Sequence, residues 1–279
     1  ISPAAHRTLD CLSILRGQSL PPPLMNRALG RGWSRGLEEL VDRGLVLEED
    51  GLYRFVESET PLVVNRRLDA TRKQELNHRM ARALEPEARA GRHLAAYAHH
   101  LREAKQRTQA IYATVRAAEE FEQRGQLAAA GKEYAALLVL LRGKRDDDLR
   151  QDVLLRFLQI KIRLGELRRC EALYAHLIRL ARERGDEDET ARLTIDYGEH
   201  LIGTRRFDKC REVIEQAVED GIQEDAALAV RAKLALFTAD LEGARARALG
   251  EARALRKNNT VAATAVLRSV EAILNAMSG

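Results

Sequence analysis

The first stretch that could do chemistry is glycine-rich and begins at Gly125. It reads Gly, five further residues, then Gly131-Lys132-Glu133. A phosphate-binding loop has four residues before its second glycine, and a Ser or Thr after the lysine to hold magnesium. This stretch has one residue too many, and the carboxylate of Glu133 would repel phosphate. It therefore predicts the turn of a helical hairpin rather than a nucleotide site.

Histidine and cysteine are the other candidates for chemistry. His93 and His100 are seven residues apart, the spacing of one helix face, but no Cys or carboxylate is placed clearly beside them. The three cysteines, Cys11, Cys170 and Cys210, are too few for a disulfide framework and favour a reducing, cytoplasmic location. No spacing typical of a nucleophile and its base occurs. We expect no metal, no cofactor and no enzymatic activity.

The elements that must position any site begin with three short helices. Ser2-Pro3 is a cap followed by a proline at the first helical position, a second helix spans about 22–29, and Ser34 is expected to cap the third. Two apolar runs then flank Asp50-Gly51, which is a strong signal for a β-hairpin. Three helices followed by a hairpin is the order of a winged helix, which we assign to residues 1–58.

A winged helix can read DNA, but the expected contact points here are acidic. A reading helix needs positive charge for phosphates and donors for base edges. A basic stretch that follows the hairpin is evidence for DNA binding, although it also fits a solvated helix face. The acidic residues of the third helix and the hairpin are Glu38, Glu39, Asp42, Glu48, Glu49 and Asp50. The basic stretch comprises Arg66, Arg67, Arg72, Lys73 and Arg79.

Helices fill the rest of the chain. Two of them, at about 60–68 and 70–85, lead to Pro86, where the second should end, and 87–103 is again helical; we treat 59–103 as connecting helices. From 104 to 279 a pattern recurs every 40 residues, with a final step of 34 to Leu241 and Ala244. A period of this size predicts stacked helical hairpins. Its recurring residues are Leu127, Leu167 and Phe207, then Ala130, Cys170 and Cys210, then Tyr134, Tyr174 and Ile214.

These repeats resemble tetratricopeptide repeats. The third matches best, while the second has Lys161 where the motif has an aromatic residue. The matching positions are Thr194, Gly198, Leu201, Cys210, Ile214 and Ala217 in the third repeat, and Ala118, Phe121, Ala130 and Tyr134 in the first.

The whole chain is similar to the region that follows the ATPase core in bacterial signal-transduction ATPases of the maltose-activator type. The segment from Arg72 through His78 to Glu85, and the Ala/His-rich run ending at His99-His100, carry this resemblance. That family usually has His-Asp after the Phe strand, whereas this chain has Glu57-Ser58. The chain begins at Ile1 rather than Met, so we expect a fragment without its ATPase core.

The sequence thus predicts a mainly all-α fold: a winged-helix-like unit followed by a right-handed α-solenoid of helical hairpins. The net charge of +4 is small and no apolar run reaches membrane-spanning length, so neither nucleic acid nor membrane is an expected partner. We expect a non-catalytic signal-coupling module that binds a protein or peptide; the resemblance adds an upstream nucleotide-binding domain as a partner. Alternatives are a DNA-binding regulator and a sensor that holds a small effector in the solenoid groove. The expected partner-binding residues are Glu119, Gln123, Gln159, Arg163, Arg192, Glu199 and Lys233.

Overall fold

The computed structural model describes residues 1–15, 21–30, 32–49, 52–143, 147–219 and 230. In this part of the chain the fold is mainly all-α, as predicted, with one small β-hairpin. The chain divides into two compact units, Ile1–Val153 and Leu154–Gly279, and the division falls inside a helix. The expected residues Lys233, Leu241 and Ala244 lie outside the described residues.

The first unit opens with three helices and a hairpin, in the order that the sequence predicts. The two strands are antiparallel, with Val46 opposite Phe55 and Glu49 opposite Leu52. A core of large side chains joins these elements; Met25, Leu40 and Trp33 are among its buried members. The elements are α1 (Pro3–Ile14), α2 (Pro22–Leu29), α3 (Trp33–Asp42), β1 (Val46–Glu49) and β2 (Leu52–Phe55).

Helix α1 is fixed at its beginning by α3. The Ser2 hydroxyl accepts a hydrogen bond from the Ala5 N–H, which is the predicted cap, and the Ser2 N–H donates to both carboxylate oxygens of Glu39. A Cβ at Gly36 would lie 2.6 Å from the carbonyl carbon and oxygen of Ala4. The two helices therefore cross so closely that only glycine fits at position 36.

The predicted cap at Ser34 is wrong. Helix α3 begins at Trp33, after Gly32 in the left-handed region at φ 95°, and Ser34 is an exposed residue of the first turn. The Trp33 indole is buried against Tyr53, with ring centroids 6.2 Å apart, and its N–H donates to Asn26. Packing of the indole thus sets the start of the helix and overrides the capping preference of serine.

Three further helices follow: α4 (Thr60–Arg67), α5 (Ala70–Arg89) and α6 (Leu94–Glu103). The expectation that a helix ends at Pro86 is wrong, because α5 continues to Arg89. Leu84 and Ala88 lie one turn apart on the same face, and both are buried. Continued burial on that face outweighs the one hydrogen bond that a proline removes near a helix end. The turn that does occur falls at 90–93, within the segment expected to be helical.

Helical hairpins make up the rest of the described chain, as the 40-residue period predicts. The helices are α7 (Arg107–Gln123), α8 (Leu127–Leu140), α9 (Asp147–Arg163), α10 (Leu167–Glu183), α11 (Glu187–Gly203) and α12 (Phe207–Glu219). We call α7, α9 and α11 the leading helices and α8, α10 and α12 the trailing helices.

One turn geometry recurs between these helices. At Gly125 the N–H bonds to the Glu122 carbonyl, and the next N–H, of Gln126, bonds back to Phe121. This pair of bonds is a Schellman motif, in which the middle residue is left-handed. The same pattern ends α6, α9, α10 and α11, with Lys105, Gly165, Gly185 and Arg205 as the left-handed residues. Lys105 and Arg205 adopt this conformation although they are not glycine, at φ 60° and φ 58°.

Three of the recurring residues are small and lie in the hairpins: Ala130, Cys170 and Cys210 are all fully buried. The Cys210 thiol lies 3.5 Å from the Gly198 carbonyl of the facing helix, and a Cβ at Gly198 would contact Ile214 at 3.1 Å. In the hairpin of α11 and α12 the small residue therefore permits a close contact between the two helices.

Candidate functional site

The predicted partner-binding residues are best defined on the leading helix α11. Arg192 and Glu199 are exposed and seven residues apart, so they lie on one face of the helix. Asp186 begins this helix by accepting a hydrogen bond from the Glu189 N–H. Arg192 binds Glu189 at 2.6 Å and Asp196 at 3.3 Å. The guanidinium is therefore held in place by carboxylates one turn to either side.

An aromatic stack lies beneath this face. The rings of Tyr174 and Tyr197 are stacked with centroids 5.1 Å apart, and the His200 ring lies 5.5 Å from Tyr174. Burial, together with the negative charges of Asp196 and Glu199, raises the pKa of Tyr174 to about 12. Burial also raises the pKa of Asp196, although Arg192 opposes that shift. The exposed charged side chains of α11 thus lie next to a packed aromatic cluster.

An ion-pair network fastens α11 to its neighbours. Glu171 of α10 binds Lys209 of α12 at 2.7 Å and also binds Arg206. These two cations hold the pKa of Glu171 below its ordinary value of 4.5. The ammonium of Lys209 additionally bonds to Tyr197, which raises the Lys209 pKa further. The network therefore joins the three consecutive helices α10, α11 and α12.

Helix α9 carries two more of the predicted residues. Gln159 and Arg163 are exposed and one turn apart. Lys161, which replaces the aromatic residue of the motif, is only 9% exposed and lies over the Phe157 ring at 5.2 Å. Its ammonium binds Glu166 at 2.8 Å. The helix thus accommodates a cation at an aromatic position by pairing it, while its outer face presents Gln159 and Arg163.

Glu119 and Gln123 lie on α7, again one turn apart; Gln123 is exposed and Glu119 is half-buried. The structure therefore brings the predicted residues together as pairs on each leading helix, and Lys233 lies outside the described residues. Sequence reasoning missed Asp196 and Glu189, which hold Arg192, and the Tyr174–Tyr197 stack. The spacing of Arg192 to Asp196 was the available signal, because residues four apart on a helix are neighbours.

The cysteines are buried, and burial raises their thiol pKa values. The value for Cys11 is raised to about 12 and that for Cys210 to about 11, with Cys170 shifted in the same direction. A thiol is reactive as its thiolate, so these residues are protonated and act as small apolar side chains. Their burial fits a packing role.

Two further properties concern the described residues as a set. No group of three or more His, Cys, Asp or Glu side chains among them could hold a metal ion. No helix of that same part of the chain combines the length and apolar character needed to cross a bilayer.

Comparison with known proteins gives distant structural likenesses. The sequence matches no protein-family model and no curated protein. A signal transduction ATPase with numerous domains and a tetratricopeptide repeat sensor, from Pyrococcus horikoshii, has a TM-score of 0.36 and 13% identity over 98% of this chain and 60% of its own. The present chain thus spans 60% of that protein's length.

Two other solved structures are similar at the same level. PilF of Pseudomonas aeruginosa has a TM-score of 0.37 and 12% identity, over 77% of this chain and 88% of its own. BtubC of P. vanneervenii has a TM-score of 0.36 and 17% identity, over 75% and 90% respectively. At these TM-scores the likenesses carry no argument, so the fold assignment rests on the helices, turns and packing described above.

Proposed function

We propose that this chain is a non-catalytic scaffold whose leading helices bind a protein or peptide partner. The observation that carries the proposal is the face of α11, where the exposed side chains of Arg192 and Glu199 lie next to the aromatic cluster of Tyr174 and Tyr197. Side chains that are ordered before binding lose less conformational freedom when a partner arrives. A curved array of helical hairpins is a common frame for such recognition.

Affinity capture from a lysate of the source organism tests this proposal. Arg163 is the sharper position for charge reversal, because Arg192→Glu would place a third carboxylate beside Glu189 and Asp196 and so disturb α11 itself. We expect wild-type bait to capture one or two proteins, with at least tenfold less captured by Arg163→Glu, an effect of about 1.4 kcal/mol. Lys132→Glu, an exposed change on trailing helix α8, is the matched control. Capture that is equal for both variants would contradict the proposal.

We also propose that the winged-helix-like unit docks on a nucleotide-binding domain of a larger regulator. Exposed apolar side chains of the hairpin and of α4 support this: Leu47 and Val56 are 40% and 45% exposed, and Leu62 and Val63 are 60% and 46% exposed. Single exposed apolar residues are ordinary, whereas four of them in one short stretch of chain are the feature on which we base this docking. Binding of a separately purified nucleotide-binding domain of the parent protein should weaken on Leu62→Ser with Val63→Ser, whereas unchanged binding would contradict this docking.

The DNA-binding alternative has less support. Glu38, Glu48 and Glu49 are all exposed, at the positions where a winged helix would meet phosphates. In the basic stretch, Arg72 and Arg79 both bind Glu75, which leaves less charge for a duplex. A gel shift with random duplex at low salt discriminates between the two functions, because phosphate binding weakens steeply as salt is added.

A further inference from the structure

The outer side of α7 carries an exposed tyrosine and an exposed arginine one turn apart. Tyr112 is 70% exposed, more than any other large apolar side chain in the described part of the chain. Arg116 is also exposed, and residues four apart on a helix are neighbours. Glu119 and Gln123, the predicted partner-binding residues of α7, continue the same line along the helix. These four residues form one surface, which we call the α7 face.

Packing of α7 uses the opposite side of the helix. Ala113, Ala117 and Ala118 are buried there, and the helix contacts α6 and α8. The Tyr112 ring has no recorded ring contact or hydrogen bond within the described ranges. A tyrosine ring is large, with an apolar face and a polar hydroxyl. Both are therefore available to a second molecule.

Arg116 differs from the arginines near it. Arg102 binds Glu133 at 2.6 Å, and Arg124 binds Glu120 at 2.6 Å. Among the described residues, the guanidinium of Arg116 has no recorded ion-pair or hydrogen-bond partner. A guanidinium binds a carboxylate through two parallel hydrogen bonds. Arg116 can therefore accept a carboxylate from another molecule without breaking an existing pair.

The equivalent positions of α11 provide a contrast. Two 40-residue periods separate Tyr112 from Arg192 and Arg116 from Asp196. On α11 these two residues bind each other at 3.3 Å, and Arg192 also binds Glu189. The α7 face has an aromatic ring at one of the two positions. Its arginine consequently lacks the carboxylate that α11 supplies from its own sequence.

We propose that the α7 face binds a protein segment that presents an aromatic side chain and a carboxylate about 6 Å apart, one helical turn. The aromatic side chain packs against the Tyr112 ring, and the carboxylate binds Arg116. Tyrosine and arginine are enriched among the residues that dominate interface binding energy. This inference rests on the proposed function, because it names the chemistry of the partner that one leading helix recognises.

Selection of random short peptides displayed on phage, with the full chain as bait, tests this inference. We expect the enriched peptides to share an aromatic residue with an Asp or Glu about three or four positions away. One such peptide, synthesised and measured by fluorescence anisotropy, should bind Tyr112→Ser and Arg116→Glu at least about tenfold more weakly than wild type. Replacing its acidic residue by Lys should restore binding to Arg116→Glu within about threefold, because both charges are then reversed.

Two changes on the trailing helix α8 are the matched controls. Val139→Ser alters an apolar side chain that is 58% exposed, and Lys132→Gln removes an exposed positive charge. Each should change the peptide affinity less than about twofold, since neither position lies on the α7 face. Circular dichroism confirms that the variants, all at exposed positions, are folded.

Several results would overturn the inference. These are enriched peptides without the aromatic and acidic pair, the absence of any enriched peptide, and equal binding by wild type, Tyr112→Ser and Arg116→Glu. A Lys-containing peptide that fails to restore binding to Arg116→Glu would show that Arg116 does not contact the acidic side chain. Peptide binding that Arg163→Glu weakens and the α7 variants do not would overturn this inference and still support the proposed function.

Discussion

The N-terminal bundle and the hairpin array are packed by different means. The bundle joins α1, α2, α3 and the β-hairpin around large side chains such as Met25, Leu40 and Trp33, in contacts that occur once. The hairpins use the small residues Ala130, Cys170 and Cys210, at positions that recur along the sequence. The stability of the array is therefore distributed over many similar contacts, whereas that of the bundle depends on a few contacts that each occur once.

The largest effect should come from the singular contact at Gly36. In Gly36→Ala the new Cβ would meet the backbone of Ala4 and Ala5 at 2.6–2.8 Å, and backbone cannot yield as a side chain can. We expect the free energy of unfolding of the bundle to fall by about 2 kcal/mol or more. Fluorescence of Trp33, the single tryptophan and a buried residue of this bundle, measures it during urea unfolding.

Gly198→Ala is the matched change in the array. There the new Cβ would meet side-chain ends, Val230 Cγ1 at 2.8 Å and Ile214 Cδ1 at 3.1 Å. These ends can move, and alanine favours a helix by about 1 kcal/mol over glycine, so the net loss should be below about 1 kcal/mol. Circular dichroism follows this unfolding. If Gly198→Ala proved more damaging than Gly36→Ala, the contrast between the two regions would be wrong.

A smaller effect is expected at the turns. Arg205 holds φ at 58°, which costs a side-chain residue about 1 kcal/mol, so Arg205→Gly should raise the free energy of unfolding by a similar amount. Gly125→Ala, at φ 70° in the same turn geometry, should lower it by about 1 kcal/mol. Both values come from urea unfolding followed by circular dichroism. If both changes raised the free energy of unfolding, or both lowered it, the two turns would not be equivalent.

The smallest effect concerns pH. Because Arg206 and Lys209 lower the folded-state pKa of Glu171, its stabilising contribution is present above the ordinary glutamate range and is lost as pH falls through the folded value. Both cations are about half exposed, so screening limits Glu171→Gln to a loss of about 0.5 kcal/mol at neutral pH. The wild type and the variant should converge in thermal stability below the folded pKa.

Glu215→Gln, an exposed change on α12, is the control for that measurement. It should leave thermal stability unchanged at both pH values. A difference between Glu171→Gln and wild type that persists at acid pH would mean that the network stabilises by packing rather than by charge.

Periodic features were predictable from the sequence, and singular ones were not. The 40-residue recurrence located Ala130, Cys170 and Cys210 at packed positions because close helix contacts recur with the repeat. The start of α3 was misplaced, since the burial of Trp33 against Tyr53 is a tertiary contact that no capping preference encodes. The end of α5 was misplaced for a similar reason, because buried Ala88 carries the helix beyond Pro86.

The candidate site was predictable in part. The repeat alignment assigned Arg192 and Glu199 to one face of a helix, but the stack of Tyr174 on Tyr197 joins two helices whose relative rotation the sequence does not specify. Sites that one helix builds alone are visible in sequence, and sites that several helices share are not.

Hydrogen–deuterium exchange of the chain, with and without the captured partner, tests the central proposal most directly. Backbone amides of a helix exchange more slowly when a partner covers that helix and opposes its local opening. The proposal predicts slower exchange in peptides from α9 and α11 and unchanged exchange in α10 and α12. Protection confined to the trailing helices, or to the N-terminal bundle, would contradict it.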